Sequence, residues 1–151
     1  AVLFENVRRR MEQDEHMTLS LLRYHRSGRV VWAGAHEDIL VCRAASGDLE
    51  WIPTQGTWVA AVPDIRAATV DRAFELAHGD LMILYSDGVI EARSAEGEVF
   101  GVDRFAAEVQ RARHGSVEEI RDAVLAAVAA WSAEQEDDIT LLVARQTGRD
   151  G

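Results

Sequence analysis

The chain reads LMILYSDG at residues 81–88 and DDITLLV at residues 137–143. Each stretch joins acidic residues to an apolar run with the length and β-propensity of a buried strand. Strand ends hold their side chains rigidly, and converging carboxylates are the ligands that hard cations such as Mg²⁺ and Mn²⁺ prefer. The two stretches therefore predict a metal site at which Asp87 and Asp137 lie close together.

Neither acidic dipeptide is specific when it is taken alone. Asp87-Gly88 is also a common hairpin turn, because both residue types tolerate positive φ. The pair Asp137-Asp138 also fits a solvated loop before a strand. Adjacent aspartates repel each other, however, and a cation or an arginine close to both of them offsets that cost. At this level the turn, the loop and the metal site all stay open.

Length and composition indicate one ordinary globular domain over residues 1–151. The formal net charge of -10 disfavours nucleic-acid binding, which needs clustered Lys and Arg. Cys42 is the single cysteine, so a disulfide framework within one chain is excluded and a reduced, cytoplasmic setting fits best. No apolar stretch approaches the roughly 18 residues that a membrane span needs, so we expect no membrane contact through this segment.

Closely spaced apolar segments with Gly-bearing turns predict antiparallel hairpins in the first part of the chain. The predicted strands are 17–24, 30–32, 39–42, 49–52, 69–76, 81–85 and 139–143, with an irregular inward-packing segment at 56–63. Strands in runs, with helices at both ends, favour an α+β layered domain with a mainly antiparallel sheet.

Three segments are predicted to be helical. The first opens at Ala1, without a Met or a capping residue, so we expect that the chain was cut from a longer protein. In the second, Asp103 is predicted to be the cap. The third begins with a capping box from Ser116 to Glu119. Its predicted apolar stripe consists of Val117, Ile120, Val124, Val128 and Trp131.

The histidines and serines of the sequence do not indicate a zinc site or a nucleophilic serine. We interpret His36 as a residue that orients a loop by a hydrogen bond rather than as a metal ligand. The other four histidines lack paired ligand spacing, so we expect no zinc site. No Gly-x-Ser-x-Gly motif is present, which leaves nucleophilic catalysis by serine without support.

The order of the motifs resembles the PPM (PP2C-like) serine/threonine phosphatases of the sporulation protein E and RsbU type. The matching segments are LYSDGVIEAR at 84–93, GEVFG at 97–101 and DDITLLV at 137–143. The segment WAGAH at 32–36 resembles that family's Ala-Gly-His, and Gly79-Asp80 resembles its Gly-Asp before the Asp-Gly strand. The resemblance covers residues 17–145, nearly the whole chain.

The resemblance implies a PP2C-like αββα sandwich that here lacks the N-terminal part of the domain. It also implies two Mg²⁺ or Mn²⁺ ions and a metal-activated water that hydrolyses phosphoserine or phosphothreonine. By motif match, Asp87 and Asp137 would be metal ligands, and Asp138 would lie beside them as a less direct participant. The implied partner is a phosphoprotein, often an anti-sigma-factor antagonist in bacterial signalling, and a homodimer is left open.

The chain departs from the family pattern in two places. The first acidic motif, which supplies the aspartate that bridges the two metals, would lie before Ala1, and Ala35 separates Gly34 from His36. We therefore expect the 151-residue chain alone to be inactive or weakly active. The alternative is a non-catalytic protein-interaction module, that is, a truncated or degenerate phosphatase. A structural or dimerisation domain of a sensor protein is a third hypothesis.

Overall fold

The computed structural model describes residues 18–54, 70–135 and 137–148. Within them, seven strands and three helices follow one another along the chain. Their bounds are β1 Leu19–Tyr24, β2 Arg29–Ala35, β3 Ile39–Cys42, β4 Leu49–Ile52, β5 Arg72–Glu75, β6 Leu81–Tyr85, α1 Asp87–Ile90, α2 Gly101–Ala112, α3 Val117–Trp131 and β7 Leu141–Arg145. The predicted N-terminal helix and the predicted segment 56–63 lie outside the described residues.

The strands form two sheets, in the orders β1-β2-β5 and β4-β3-β6-β7. All neighbouring strands in both sheets are antiparallel. The first strands along the chain pair as hairpins, as the short Gly-bearing turns predict. The prediction of an α+β domain with mainly antiparallel sheets is therefore confirmed.

The larger sheet is covered on both faces, which explains why β3 and β6 read as continuous apolar runs. Leu40 and Cys42 pack in the core that includes α2 and α3, whereas Ile39 and Val41 pack against the smaller sheet. This alternation follows from the period of two in a strand. Sheet, sheet and helices thus form three of the four layers of the expected sandwich within the described residues.

Helix α3 begins and packs as the sequence predicts. Ser116 Oγ accepts a hydrogen bond from the backbone N–H of Glu119 at 3.1 Å. In return, the Glu119 carboxylate accepts from the backbone N–H of Ser116 at 2.7 Å. On the stripe, Ile120, Val124 and Val128 are buried in the core of the larger sheet. The capping box therefore sets the start of a helix whose apolar face covers the sheet.

Several helix and strand boundaries differ from the prediction. Helix α2 begins at Gly101, so Asp103 lies in its first turn and does not cap it. Gly101 has a φ of 78°, a conformation that favours glycine, and it takes the chain into the helix before Asp103. Strand β7 begins at Leu141 rather than Ile139, because its ladder runs along β6 from Tyr85↔Leu141 to Leu81↔Arg145.

Strand β2 continues three residues beyond the predicted Trp32, through Ala35. At Gly34 the φ is 122°, and a Cβ there would lie only 2.0 Å from the carbonyl oxygen of Leu19. Glycine therefore permits β1 to pair with β2 as far as Ala35. The Ala-Gly-Ala segment belongs to the end of this strand, and His36 is the first residue after it.

Candidate active site

Ser86 joins the two acidic segments of the chain. It follows β6, and its backbone N–H donates to the carbonyl of Thr140 at 3.0 Å. Its hydroxyl accepts from the backbone N–H of Thr140 at 2.9 Å and donates to the carbonyl of Asp138 at 3.0 Å. Three hydrogen bonds thus fix the residues after β6 against the residues before β7. The segments predicted to meet do so.

Gly88 allows this close approach. A Cβ at Gly88 would lie 2.6 Å from the carbonyl oxygen of Asp138, closer than any side chain can be accommodated against a backbone atom. The Asp-Gly pair is not a hairpin turn, because Asp87 opens the short helix α1. The hairpin interpretation is therefore wrong, and the glycine is needed for the contact between the two acidic segments.

The three predicted acidic residues are exposed at this junction. Asp87 Oδ1 accepts from the backbone N–H of Gly88 at 3.0 Å, and Asp137 Oδ1 accepts from that of Asp138 at 2.7 Å. These local bonds orient each carboxylate through one of its two oxygens. Asp138 contributes its backbone to the junction through Ser86. Asp137 and Asp138 lie in an irregular segment, which corrects their predicted place at the opening of a strand.

Further carboxylates surround Asp87. The pKa of Glu37 is raised above its ordinary value, first by burial and then by the negative charges of Asp87, Asp38 and Glu91, with His36 opposing the shift. A nearby like charge disfavours the ionised form of a carboxyl group, so these carboxylates share one neighbourhood. The end of β6 is therefore a region of concentrated negative charge, which attracts cations.

His36 orients the loop that carries Glu37. Its ring Nδ1 lies 3.2 Å from Thr18 Oγ1, and its backbone N–H donates to Thr54 Oγ1 at 3.0 Å. The buried Thr54 hydroxyl also donates to the carbonyl of His36. The backbone N–H of Thr54 donates to Asp38 Oδ1 at 3.1 Å. These contacts match the loop-orienting role predicted for His36.

A cavity of about 540 Å³ opens beside the junction. Gly88, Glu91 and Asp137 line its acidic side, and Arg93 is the one cation among its described lining residues. Its apolar wall comes from α3 and from the segment before β7, through Leu125, Val128 and Ile139. A cleft with an apolar wall and a few converging charged groups has the character of a ligand site.

Within residues 18–54, 70–135 and 137–148, no group of three or more His, Cys, Asp or Glu side chains is placed to hold a metal ion. The exposed carboxylates of Asp87, Asp137 and Asp138 are nevertheless the kind of donor that a hard cation prefers. Gly88 lets the Asp138 backbone occupy the space that a side chain would fill. The structure thus joins the segments that carry Asp87 and Asp137, through the hydrogen bonds of Ser86.

Sequence reasoning missed Glu37 and Glu91. Glu91 is four residues after Asp87, and its backbone N–H donates to the Asp87 carbonyl at 2.8 Å. Helical spacing would have predicted that neighbourhood if the Asp-Gly pair had been interpreted as a helix start. Glu37 arrives from the loop between β2 and β3, and no local pattern indicates that contact.

The model of the family Stage II sporulation protein E (SpoIIE) matches residues 2–147 of the chain. The chain belongs to the SpoIIE family. The resemblance to PP2C-like phosphatases of this type, which the sequence motifs indicate, is thereby confirmed. A search of curated proteins found no match.

Solved structures show the same fold at low sequence identity. The SiaA-PP2C domain of Pseudomonas aeruginosa matches with a TM-score of 0.73 at 23% identity, over 93% of this chain and 56% of that one. The phosphatase domain of the cell fate determinant SpoIIE from Bacillus subtilis, presoaked with Mn, matches with a TM-score of 0.61 at 20% identity, over 87% of this chain and 57% of that one. The RsbU and RsbW domains of a Mycobacterium tuberculosis protein match with a TM-score of 0.70 at 19% identity, over 87% of this chain and 36% of that one.

The SpoIIE-family chain spans little more than half the length of the first two of these structures. These structural matches show that the fold class of this chain is PP2C-like. In the described residues, no helix is both long enough and apolar enough to cross a membrane.

Proposed function

We propose that this chain carries part of the active site of a metal-dependent protein phosphatase that removes phosphate from serine or threonine. The observation that carries the proposal is the contact of the Asp87 segment with the Asp137 segment through Ser86. Two acidic segments that meet at an exposed, negatively charged strand end suit cation binding. Membership of the SpoIIE family supports the same assignment.

Asp87 and Asp137 would hold the cation, and Asp138 would keep their two segments in contact through its backbone. When bound, Mg²⁺ or Mn²⁺ would lower the pKa of a water molecule and offset the charge of the phosphoryl oxygens. The chain's own contribution is to place the carboxylates and to hold them still. Ser86 and Gly88 do so by joining the segments closely.

The cavity beside the junction would receive the phosphorylated segment of the substrate. Arg93 would contact the phosphoryl group, because a guanidinium matches phosphate oxygens in charge and shape. The apolar wall from Leu125 and Val128 would bind the residues that flank the phosphorylated side chain. On the strength of the family resemblance we propose a regulatory phosphoprotein of the cytoplasm, such as an anti-sigma-factor antagonist, as the substrate.

A second function is favoured by one observation. The described residues assemble no group of three metal ligands. Two carboxylates leave most of a near-octahedral shell to water, which gives weak metal binding. A non-catalytic module that binds a partner through the same cavity is therefore the alternative.

A phosphatase assay decides between the two functions. The natural protein and the 151-residue chain are each given a phosphoserine protein with Mn²⁺, and released phosphate is measured. We expect turnover by the natural protein that EDTA removes and that Asp87→Asn abolishes, with weak or no turnover by the short chain. Asp122→Asn is the matched control, because Asp122 is exposed on α3 and pairs with Arg121. Turnover insensitive to both EDTA and Asp87→Asn would overturn the proposal, and no turnover in any form would favour the binding module.

A further inference from the structure

A second cavity lies at the end of the larger sheet opposite Asp87. It has a volume of about 300 Å³, and it is lined at the start of β6 by Leu81 and at the end of β7 by Arg145. Asp87 and Asp137 flank the other ends of these two strands. Since a strand rises about 3.3 Å per residue, a five-residue strand separates the two places by roughly 15–20 Å. The cavity is thus distinct from the candidate active site.

The lining of this cavity is basic, although the chain has a formal net charge of -10. Four of its lining side chains are arginine or histidine, and none of its described lining residues is acidic. The four are His78, Arg113, His114 and Arg145. In a chain with an excess of carboxylates, an arginine on the surface can readily pair with an acidic residue. A cavity lined by arginines and histidines without such a partner is therefore a local concentration of positive charge.

The nearest buried carboxylate does not neutralise the cavity. Asp80, directly before β6, is bound to the Arg43 guanidinium at 2.8 Å. It also accepts from the backbone N–H groups of Ala44 and Ala77, at 2.8 and 3.0 Å. These contacts pair Asp80 with Arg43 and with the backbone, and none of them is to Arg113 or Arg145.

The Arg145 guanidinium is fixed in place and still has donors to spare. Its Nη2 donates to the carbonyls of Arg113 and Gly115, at 2.8 and 2.7 Å, at the end of α2. Its Nε is buried and has no hydrogen-bond partner among the described residues. Because Nη2 is held by these two carbonyls and Nε is shielded, Arg145 can offer a ligand only the part of its side chain that lines the cavity.

Arg113 is held beside it by the protein itself. Its Nη1 donates to the carbonyl of Gln110 at 3.1 Å. Its guanidinium packs over Gly47, where an added Cβ would lie 3.3 Å from Cζ. The side chains of Arg113 and Arg145 therefore both line one small cavity, and each donates to a backbone carbonyl that limits its motion, which lowers the entropy cost of binding a ligand there.

We propose that this cavity is a binding site for a small phosphate-type dianion, either free or as a phosphorylated side chain. Arginine donors match phosphate oxygens in geometry and charge, and His78 and His114 add ring N–H groups around the rim. The site uses no metal, so it is independent of the proposed phosphatase chemistry. Asp87 and Asp137 would repel the same ligand in the absence of a cation.

The test is a titration of the ¹⁵N-labelled chain in EDTA, with inorganic phosphate in one series and N-acetyl-O-phosphoserine amide in the other. We expect saturable shifts at Gly79, His114 and Arg145 and none around Asp87. Arg113→Gln should weaken binding about tenfold or more, because it removes a charge-assisted hydrogen bond to the ligand. Arg121→Gln removes the same charge from the exposed face of α3 and should change nothing.

A second variant keeps the test decisive if Arg113→Gln does not fold. Ala44→Glu puts a negative charge on the exposed lining of the cavity without removing any side-chain hydrogen bond, and it should also weaken binding. Binding of inorganic phosphate assigns a free ion, and binding of the phosphoserine compound alone assigns a phosphorylated side chain. Absence of saturable shifts with both probes, or equal affinity in Arg121→Gln and the cavity variants, would overturn the proposal.

Discussion

Ser86 and Thr140 are bound to each other in both directions: the backbone N–H of Ser86 donates to the Thr140 carbonyl, and the backbone N–H of Thr140 donates to the Ser86 hydroxyl. Fifty-four positions separate the two residues in sequence. Because β6 and β7 pair along their whole length, the residues just beyond their paired ends must meet. This connection brings the two acidic segments to one place.

Removing the hydroxyl tests that connection. Ser86→Ala loses the hydroxyl's bonds to the Asp138 carbonyl and the Thr140 N–H, so two of the three hydrogen bonds between the segments are removed. We expect the free energy of unfolding to fall by about 1–2 kcal/mol, measured by urea denaturation. Ser46→Ala, in an exposed turn where the hydroxyl accepts one bond, is the control and should change little. Equal effects of the two substitutions would show that Ser86 does not join the segments.

Gly88 tests the close approach of the segments. An alanine Cβ would lie 2.6 Å from the Asp138 carbonyl, so the segment before β7 must move away. We expect Gly88→Ala to cost about 1–3 kcal/mol of stability and to weaken Mn²⁺ binding in a calorimetric titration. Gly97→Ala adds the same methyl group where nothing lies within 4 Å, although its φ of 82° is strained. The control should lose some stability and keep its Mn²⁺ affinity, and a parallel loss of affinity would contradict the geometric explanation.

The apolar face of α3 gives a stability prediction. Val124 is fully buried in the core between α3 and the larger sheet. Val124→Asp puts an unpaired charge there, and we expect a loss of several kcal/mol or a failure to fold. Ala126→Asp, on the exposed side of the same helix, should have little effect. Thermal melting of both variants measures the difference, and an unchanged melting temperature for Val124→Asp would place the stripe at the surface.

Asp80 gives a prediction of pH dependence. Burial opposes its charge, but the Ala44 N–H, the Arg43 guanidinium and the Ala77 N–H outweigh burial and lower its pKa below the ordinary value. The stability that it contributes is therefore present above the unfolded-state pKa of about 3.9 and is lost as pH falls through the folded-state pKa.

Asp80→Asn should accordingly destabilise the chain at pH 7 by about 2–3 kcal/mol, since it removes the charge of a buried carboxylate that pairs with the partly exposed Arg43. The difference from the unmodified chain should shrink below about pH 4. Urea denaturation at pH 7, 5 and 3 measures it, and a difference that stays constant over this range would contradict the account. Asp48→Asn, at an exposed turn, is the control.

Local signals in the sequence predicted the elements that local physics decides. The capping box at Ser116 fixed the start of α3, and the apolar run of β3 reflects a strand that is buried on both faces. The start of β7 could not be predicted, because it depends on pairing with β6 rather than on the run that begins at Ile139. Asp103 was predicted to be a cap, but a positive φ at Gly101 moved the helix start.

The candidate site was predictable only in part, because some of its residues meet only through the tertiary fold. Motif order identified the segments of Asp87 and Asp137, which carry their own sequence signals. Glu37 comes from a loop whose position depends on how the two sheets pack, so the sequence shows no sign of it. The basic cavity at the other end of the sheet likewise arises from Arg113 and Arg145, which only the tertiary fold brings together.

The central claim is that Asp87 and Asp137 bind one divalent cation together. Mn²⁺ binding to the 151-residue chain, measured by calorimetry and by electron paramagnetic resonance of free Mn²⁺, tests it most directly. We predict weak but saturable binding, since two carboxylates leave several positions to water. Asp87→Asn and Asp137→Asn should each weaken it about tenfold or more, because each keeps the size and removes the charge. Asp122→Asn should leave it unchanged. Equal Mn²⁺ affinity in all four proteins would contradict the assignment of the site.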